Sequence, residues 1–529
     1  MSDVEEELIE ATLVSTISLK ERLQQIPPYA IALALALLVS SVGVVAWSLN
    51  LFTEDIEYKL IDYDKNAVRN FAQNLVDLGH PEWGGRMSGS PEEQLTSESI
   101  LDNFTKMGYS PSLDMFDVPM FNIVSTEPTL SYCIPGSLPI NVAPCTGADI
   151  GAQFHTFEHR VDYVIQGYSG SIETTYAQNT PLVDLGRVTD ENIDWASAEG
   201  AIIVIRAGRD SSNNSIVWEN GPANGALGAI QINDDSNCNT LVSGDCVPIF
   251  KGGIYSRIIN ANQGSVPTDF PLITMSKSTG EELLEAFANE DARISWDLEV
   301  DNGGERTIRV PCGTHYGKTE ELLIVGAHHD TVYNGPGAVD DTSGTASVLE
   351  MARQFSTIIN QSGQADRTIK FCTWGGEEEG LWGSTSWVAS RVSELSANLR
   401  LYVNLDMNHA DKEFRENGRL TLFMNYADDY EHVQAIADQY SMEQSEIWNR
   451  YSVVVKKVAH EDMGRSSDHA GFVYDLDDGV PGRAAVCYGS GSWEYHTYLD
   501  DMTRFNEESL AISVVIYGSY MRYLAWDDM

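Results

Sequence analysis

The chain has 529 residues, 43% hydrophobic and 21% charged, so it has apolar material for two or three folded units and is not read as disordered. Its 78 acidic residues outnumber 33 basic ones, giving a formal charge of -45 spread along the chain. Such a field repels phosphates and excludes nucleic acid as a partner.

Residues 1–28 read as a polar tail and 29–51 as a transmembrane helix. No charged residue occurs from 23 to 53, and residues 29–49 are almost wholly apolar. At about 1.5 Å per residue that stretch spans roughly 30 Å, enough to cross a bilayer. Its distance from the N-terminus and the lack of a small-x-small cleavage site favour a retained anchor over a signal peptide. Lys20 and Arg22 precede the span and Lys59, Lys65 and Arg69 follow it, so charge alone gives no orientation. The expected location is a single-pass membrane protein with its main domain extracytoplasmic. Two close cysteine pairs, Cys133 with Cys145 and Cys238 with Cys246, could close disulfide loops there. Cys372 and Cys487, in apolar runs, are expected as buried free thiols, and Cys312 has no evident partner. No CxxC pair occurs, which argues against a zinc ribbon.

After a connector at 52–65, Val68, Phe71, Leu75 and Leu78 recur at spacings of three and four, which predicts a helix. The break GGRMSGSPEE separates it from a second helical stretch ending near Met107. Residues 66–139 form the first part of the main domain. Residues 140–300 are rich in Asn, Gly, Ser and Asp, with β-type runs at 201–205 and 229–232 and no ligand-like clustering of His, Cys and acids. They read as a separate non-catalytic module. Residues 301–529 alternate strand and helix patterns and predict an α/β domain with a mostly parallel central sheet flanked by helices. Within it GTHYGKT, with three residues between its glycines rather than four, is a strand-connecting loop and not a phosphate loop. No Gly-x-Ser-x-Gly elbow is present, which removes the common serine hydrolase reading.

Four apolar strands in this last region lead into His or acidic residues: LLIVGA into His328 and Asp330, TIKFCTW into Glu377 and Glu378, LYVNL into Asp406, and AAVCYG towards His496. A fifth segment, GPGAVDDTSG, carries Asp340 and Asp341 just before the helical run ASVLEMARQF. In an open α/β sheet, ligands gather beyond the carboxyl ends of the strands, so these groups can share one crevice. Imidazole and carboxylate suit zinc, and three carboxylates with two imidazoles suffice for two ions that share Asp340 as a bridge. Each segment alone has a plainer explanation; the acids at 377–379, for instance, suit a solvated helix start. Their conjunction in one region is what points to metal.

The runs GAHHD, GAVDDTSG, GGEEEGLWGS, NLDMN, SSDHAGF and YHTYLD resemble the successive motifs of the co-catalytic zinc aminopeptidases, whose relatives include glutamate carboxypeptidases and glutaminyl cyclases. GAIIVIRAG, NGPANGALGAIQIND and FPLITMSKSTGEELLEAF resemble a protease-associated domain inserted at 140–300. The resemblance implies two zinc ions, one held by His328 and Asp406 and the other by Glu378 and His496, with Asp340 bridging. It implies Glu377 as general base, Asp330 as the acid that orients the first ligand, and Asp341 as partner of a cis peptide after the bridge. Asp468, with Ser467 and His469, matches a supporting loop. His329 competes with His328, and the His-x-Asp spacing favours His328. Gly464 and Arg465 stand where some relatives carry a tyrosine that binds the intermediate. The expected activity is peptide hydrolysis by a membrane-anchored aminopeptidase. The alternatives are a carboxypeptidase, with Arg415, Arg419, Arg450 or Arg465 meeting a substrate carboxylate, a glutaminyl cyclase, or a receptor without catalysis. Oligomeric state is not legible.

Overall fold

The computed structural model describes residues 57–125, 127–136, 143–188, 193–207, 213–251, 255–411, 418–477, 479–489 and 492–528. The predicted membrane span lies outside them; among the described residues no helix is long and apolar enough to cross a membrane.

Helix α1 (Lys65–Val76) starts where the Asp64 side chain accepts from the N–H groups of Asn66 and Ala67, and it buries Val68, Ala72 and Leu75. The glycine-rich break follows, and Ser90 caps α2 (Pro91–Lys106) by accepting from Glu93 N–H. Pro91 at the first position, acids in the first turn and Lys106 in the last complete a well-signalled helix.

From β1 (Ser110–Ile123) the chain enters an insert. Its strands are β2 (Thr129–Ile134), β3 (Gln153–Phe157), β4 (Tyr163–Ile165), β5 (Ile172–Thr174), β6 (Leu182–Arg187), β7 (Ile202–Ala207), β8 (Gly228–Asn233), β9 (Leu272–Met275) and β10 (Arg293–Leu298). They divide between a four-stranded sheet, ordered β3-β2-β10-β5, and a five-stranded one, ordered β4-β9-β8-β7-β6. Next, β11 (Val300–His315) returns to pair antiparallel with β1, Ile123 opposite Val300 and Ser110 opposite Thr314. The insert thus leaves and rejoins one strand pair at adjacent points. Because β2 belongs to its four-stranded sheet, the insert opens soon after β1, upstream of residue 140.

The rest of the chain supplies β12 (Leu322–His328), α3 (Thr342–Ser362), β13 (Thr368–Trp374), α4 (Trp382–Ser390), β14 (Leu399–Leu405), β15 (Arg419–Met424), β16 (Ser452–Lys457), α5 (His469–Tyr474), β17 (Ala484–Tyr488) and α6 (Glu507–Trp526). The main sheet is ordered β1-β11-β13-β12-β14-β17-β15-β16. Its centre, β13-β12-β14-β17, is parallel. The flanks are not: β11 runs antiparallel to β13, and β15 antiparallel to β17. The centre is parallel as expected, but the whole sheet is mixed, because β11, β15 and β16 run against the other strands.

Alternate residues of the central strands feed two cores. Leu323, Val325 and Ala327 of β12 join Leu401, Val403 and Leu405 of β14 under α3 and α6, where Met351, Phe355, Ile512 and Tyr517 pack. On the other face Ile324 and Tyr402 meet Trp374, Trp387 and Phe472 beneath α4 and α5. A strand covered on both faces needs a near-continuous apolar run, which is what LLIVGA supplies.

Cys133–Cys145 and Cys238–Cys246 are disulfides, and Cys487 is a buried free thiol. Cys372 is not free: it pairs with Cys312, the two standing opposite each other in β13 and β11 with Cα atoms 4.2 Å apart. Sixty residues of sequence separate them, so only the strand register reveals the pair.

Candidate metal centre

The chain leaves β13 and crosses β12 to enter β14, so the strand order changes direction at β12. Such a switch opens a crevice at the carboxyl ends of the strands. His328 is the last residue of β12, and Asp406 follows the last residue of β14. Glu377 and Glu378 lie in the turn after β13, and Asp341 caps α3 by accepting from Gly344 N–H at 2.8 Å. Loop residues beyond β17 bring in His496.

Asp340 offers one oxygen to each imidazole: His328 Nε2 lies 3.3 Å from its Oδ1 and His496 Nε2 3.2 Å from its Oδ2. Glu378 Oε2 is 2.9 Å from His496 Nε2, while Asp406 Oδ1 and Glu377 Oε2 are each 4.0 Å from His328 Nε2. Two donors each about 2.1 Å from a tetrahedral zinc stand about 3.4 Å apart, so these spacings suit ligands that share an ion. Glu378 Oε1 is buried with no hydrogen-bond partner among the described residues. A buried carboxylate left so is costly, and a cation would satisfy it. Donor atoms of His328, Asp340 and Glu378, and of His328, Asp341 and Asp406, cluster within 4.8 Å. In the second group Asp341 Oδ1 already accepts from Gly344 N–H and Met407 N–H, so its evident role is to tie α3 to the end of β14. The residues fit zinc by donor type and spacing.

Burial pushes the Glu377 carboxyl well above its usual range; His328 opposes this, and Asp406 and Asp468 reinforce it. Asp468, fully buried, is itself pushed up to about 7, chiefly by burial.

Further polar residues surround these groups. Asp330 accepts from the N–H groups of Glu377 and Glu378, each at 3.3 Å, while His328 Nδ1 faces the Asp330 carbonyl at 3.1 Å. Ser88 donates to Asp330 Oδ2 at 2.8 Å and also contacts Glu379. The Asp340–Asp341 peptide is cis. His329 points elsewhere, its Nε2 3.1 Å from Glu93 on α2. Ser467 accepts from Asn404 of β14, and His469 Nε2 bonds the Met463 carbonyl, so these two brace the loop.

Three contributors escaped the sequence reading. Asp500, in YHTYLD, accepts from Val339 N–H at 2.7 Å and Asp340 N–H at 2.9 Å, holding the backbone of the shared carboxylate. Its place four residues after His496 was the available signal. Ser88 lay in the glycine-rich break with none. Phe250 of the insert accepts from His496 Nδ1 at 2.7 Å, and its N–H donates to the His496 carbonyl at 3.1 Å. Those bonds fix a residue held at φ 57°, an uncommon conformation outside glycine. They also fix the tautomer that leaves Nε2 facing Asp340 and Glu378.

Above these groups lies a cavity of about 520 Å³ whose wall includes Phe250, Lys251, Arg257, Arg465, Tyr488 and Tyr495. Of the arginines considered for a substrate carboxylate, Arg465 reaches this wall, although it pairs with Asp475 at 2.8 Å. Arg450 is engaged by Glu508 and Glu446, and Arg415 lies outside the described residues.

Residues 312–517 match peptidase family M28. An aminopeptidase of Pseudomonas aeruginosa is 25% identical over 347 residues, 65% of this chain and 57% of that protein. The Arabidopsis thaliana protein named "Probable glutamate carboxypeptidase LAMP1" is 33% identical over 190 residues, 35% of this chain and 26% of that protein. Among solved structures, the fold is similar to BSAP, a zinc aminopeptidase from Bacillus subtilis, with a TM-score of 0.60 at 20% identity, covering 89% of this chain and 97% of that one. The chain spans little more than half the length of the aminopeptidase relative.

Proposed function

From the match of residues 312–517 to peptidase family M28, we propose that the chain is a two-zinc exopeptidase that removes N-terminal residues from peptides. The observation that carries this reading is Asp340, whose two oxygens face two imidazoles at 3.3 and 3.2 Å. His328 and Asp406 would hold one ion, Glu378 and His496 the other, and Asp340 would serve both. Bound zinc supplies Lewis acidity, which acidifies a water and polarises a peptide carbonyl. Glu377, 4.0 Å from His328 Nε2, accepts the water proton and returns it to the leaving amine. Asp330 steadies the Glu377 and Glu378 backbone through this transfer, and Asp500 does the same for Asp340. Asp341 and Asp468 support the ligands from behind. The aminopeptidase relative supports an N-terminal cut.

The insert takes the role of a protease-associated domain, and residues 29–51 that of a membrane anchor, with the peptidase domain extracytoplasmic. Support for that side of the membrane comes from the three disulfides, which persist in oxidising compartments. Chelated protein should lose turnover of aminoacyl anilides and regain it with zinc. Full activity of the metal-free protein would overturn the reading.

A further inference from the structure

The glycine-rich break between α1 and α2 places a cation against the loop that carries Asp340. Arg86 is fully buried, and all three nitrogens of its guanidinium reach the segment that runs from the end of β12 to the start of α3. Nε donates to the His329 carbonyl at 3.2 Å, Nη1 to the Pro336 carbonyl at 2.8 Å and Nη2 to Thr342 Oγ1 at 2.7 Å. The Arg86 main chain adds two bonds to the same segment: its N–H donates to Thr331 Oγ1 at 2.8 Å, and its carbonyl accepts from Thr331 N–H at 3.3 Å. Gly85 makes this approach possible, because a Cβ there would collide with the Val332 and Tyr333 carbonyl oxygens.

The held segment belongs to no strand or helix from 329 to 341, yet all of it is buried except Pro336, which is half-buried. Buried backbone polar groups need partners, which is why most loops stay on the surface. Here the partners come from side chains of opposite charge. Asp500 accepts from the N–H groups of Val339 and Asp340, while Arg86 donates to carbonyls. Burial lowers the Arg86 pKa to about 10 and Asp330, Asp500 and Asp341 oppose the fall, so the guanidinium stays charged at neutral pH. Its planar fork fixes three acceptors in set directions, which an ammonium on a flexible stem does not.

We propose that Arg86 is a positioning residue: its hold on the loop from His329 to Thr342 sets the Asp340 carboxylate, and through it the affinity for both metal ions. The proposal rests on the two-zinc exopeptidase reading above.

The test measures zinc affinity of the full chain by competition with a chelator, beside denaturant unfolding and steady-state kinetics. In Arg86→Lys both ions are expected to weaken together, by about 10-fold, as when other groups that orient ligands are changed. At saturating zinc, KM should stay as in the wild type while kcat falls. Thr342→Val removes the acceptor of one arm alone and should lower zinc affinity less. Combined with Arg86→Lys it should add little, because both changes break the same contact. A folded Arg86→Lys protein that is less stable but binds zinc as the wild type does would make Arg86 structural only and overturn the proposal. Weakening of one ion alone would also contradict it, since Asp340 serves both. Should Arg86→Lys fail to fold, unchanged zinc affinity in Thr342→Val would overturn it equally. A wild type that binds no zinc would overturn the exopeptidase reading itself.

Discussion

Two regions build one cavity by different means. The crevice residues sit at or just beyond the ends of parallel strands, so the sheet delivers them by local connection: His328 ends β12, and Asp406 directly follows β14. The insert reaches the same place through long-range contact, Phe250 touching a histidine 246 residues further along the chain. The crevice therefore carries chemistry that tolerates little displacement, while the insert carries orientation. Disturbing the first should cost turnover; disturbing the second should change stability.

The largest effect is expected at Glu377. Glu377→Gln should retain zinc and lose about 10² to 10⁴ of kcat, as for removal of a general base; single-turnover assays beside metal analysis would separate the two quantities. Near-normal turnover would remove Glu377 from its role. Next comes Asp500, which holds only backbone. Asp500→Asn keeps the shape but replaces one acceptor, and zinc affinity should fall by about 10- to 100-fold, as for other groups that orient ligands. Competition with a chelator measures it, and unchanged affinity would show that the Asp340 backbone needs no such hold.

Disulfides contrast the regions in stability. Cys312–Cys372 closes a loop of separation 60 in the main sheet, and Cys238–Cys246 one of separation 8 in the insert. Chain entropy predicts losses of about 4 and about 2.5 kcal/mol for Cys312→Ser and Cys238→Ser. Denaturant unfolding gives the order; the reverse order would mean that packing at the pair outweighs loop closure.

A smaller effect lies where the regions meet. His159 of the insert is buried beside Trp83 and bonds Tyr333 at 3.0 Å, and its pKa is lowered to about 3, mainly by burial and secondarily by Arg160. The folded state thus keeps it neutral while the unfolded chain protonates near pH 6.5. Its contribution is intact above about pH 6.5 and is lost progressively as pH falls towards 3, amounting to about 2 kcal/mol by pH 5. A His159→Gln variant should show a flatter stability profile between pH 6.5 and 5. An unchanged slope would place the acid sensitivity elsewhere.

The same contrast explains what could be read in advance. Helices α1 and α2 were legible because caps, spacing and a glycine break coincide, and the strand-end residues were legible because each follows an apolar run. The antiparallel flanks were not, since residue pattern does not encode strand direction. Neither was Cys312–Cys372, whose two cysteines meet only through the pairing of β11 with β13. Asp500 was half-visible, inside a recognised run but with no cue to its backbone role. Phe250 carried no cue at all, because its contact uses a main-chain carbonyl.

The central claim is that one carboxylate, Asp340, serves two metal ions. Zinc measured per chain in the wild type and in Asp340→Ala tests it most directly. Two ions in the wild type and less than one in the variant are predicted. A folded variant that still holds two would contradict the shared bridge.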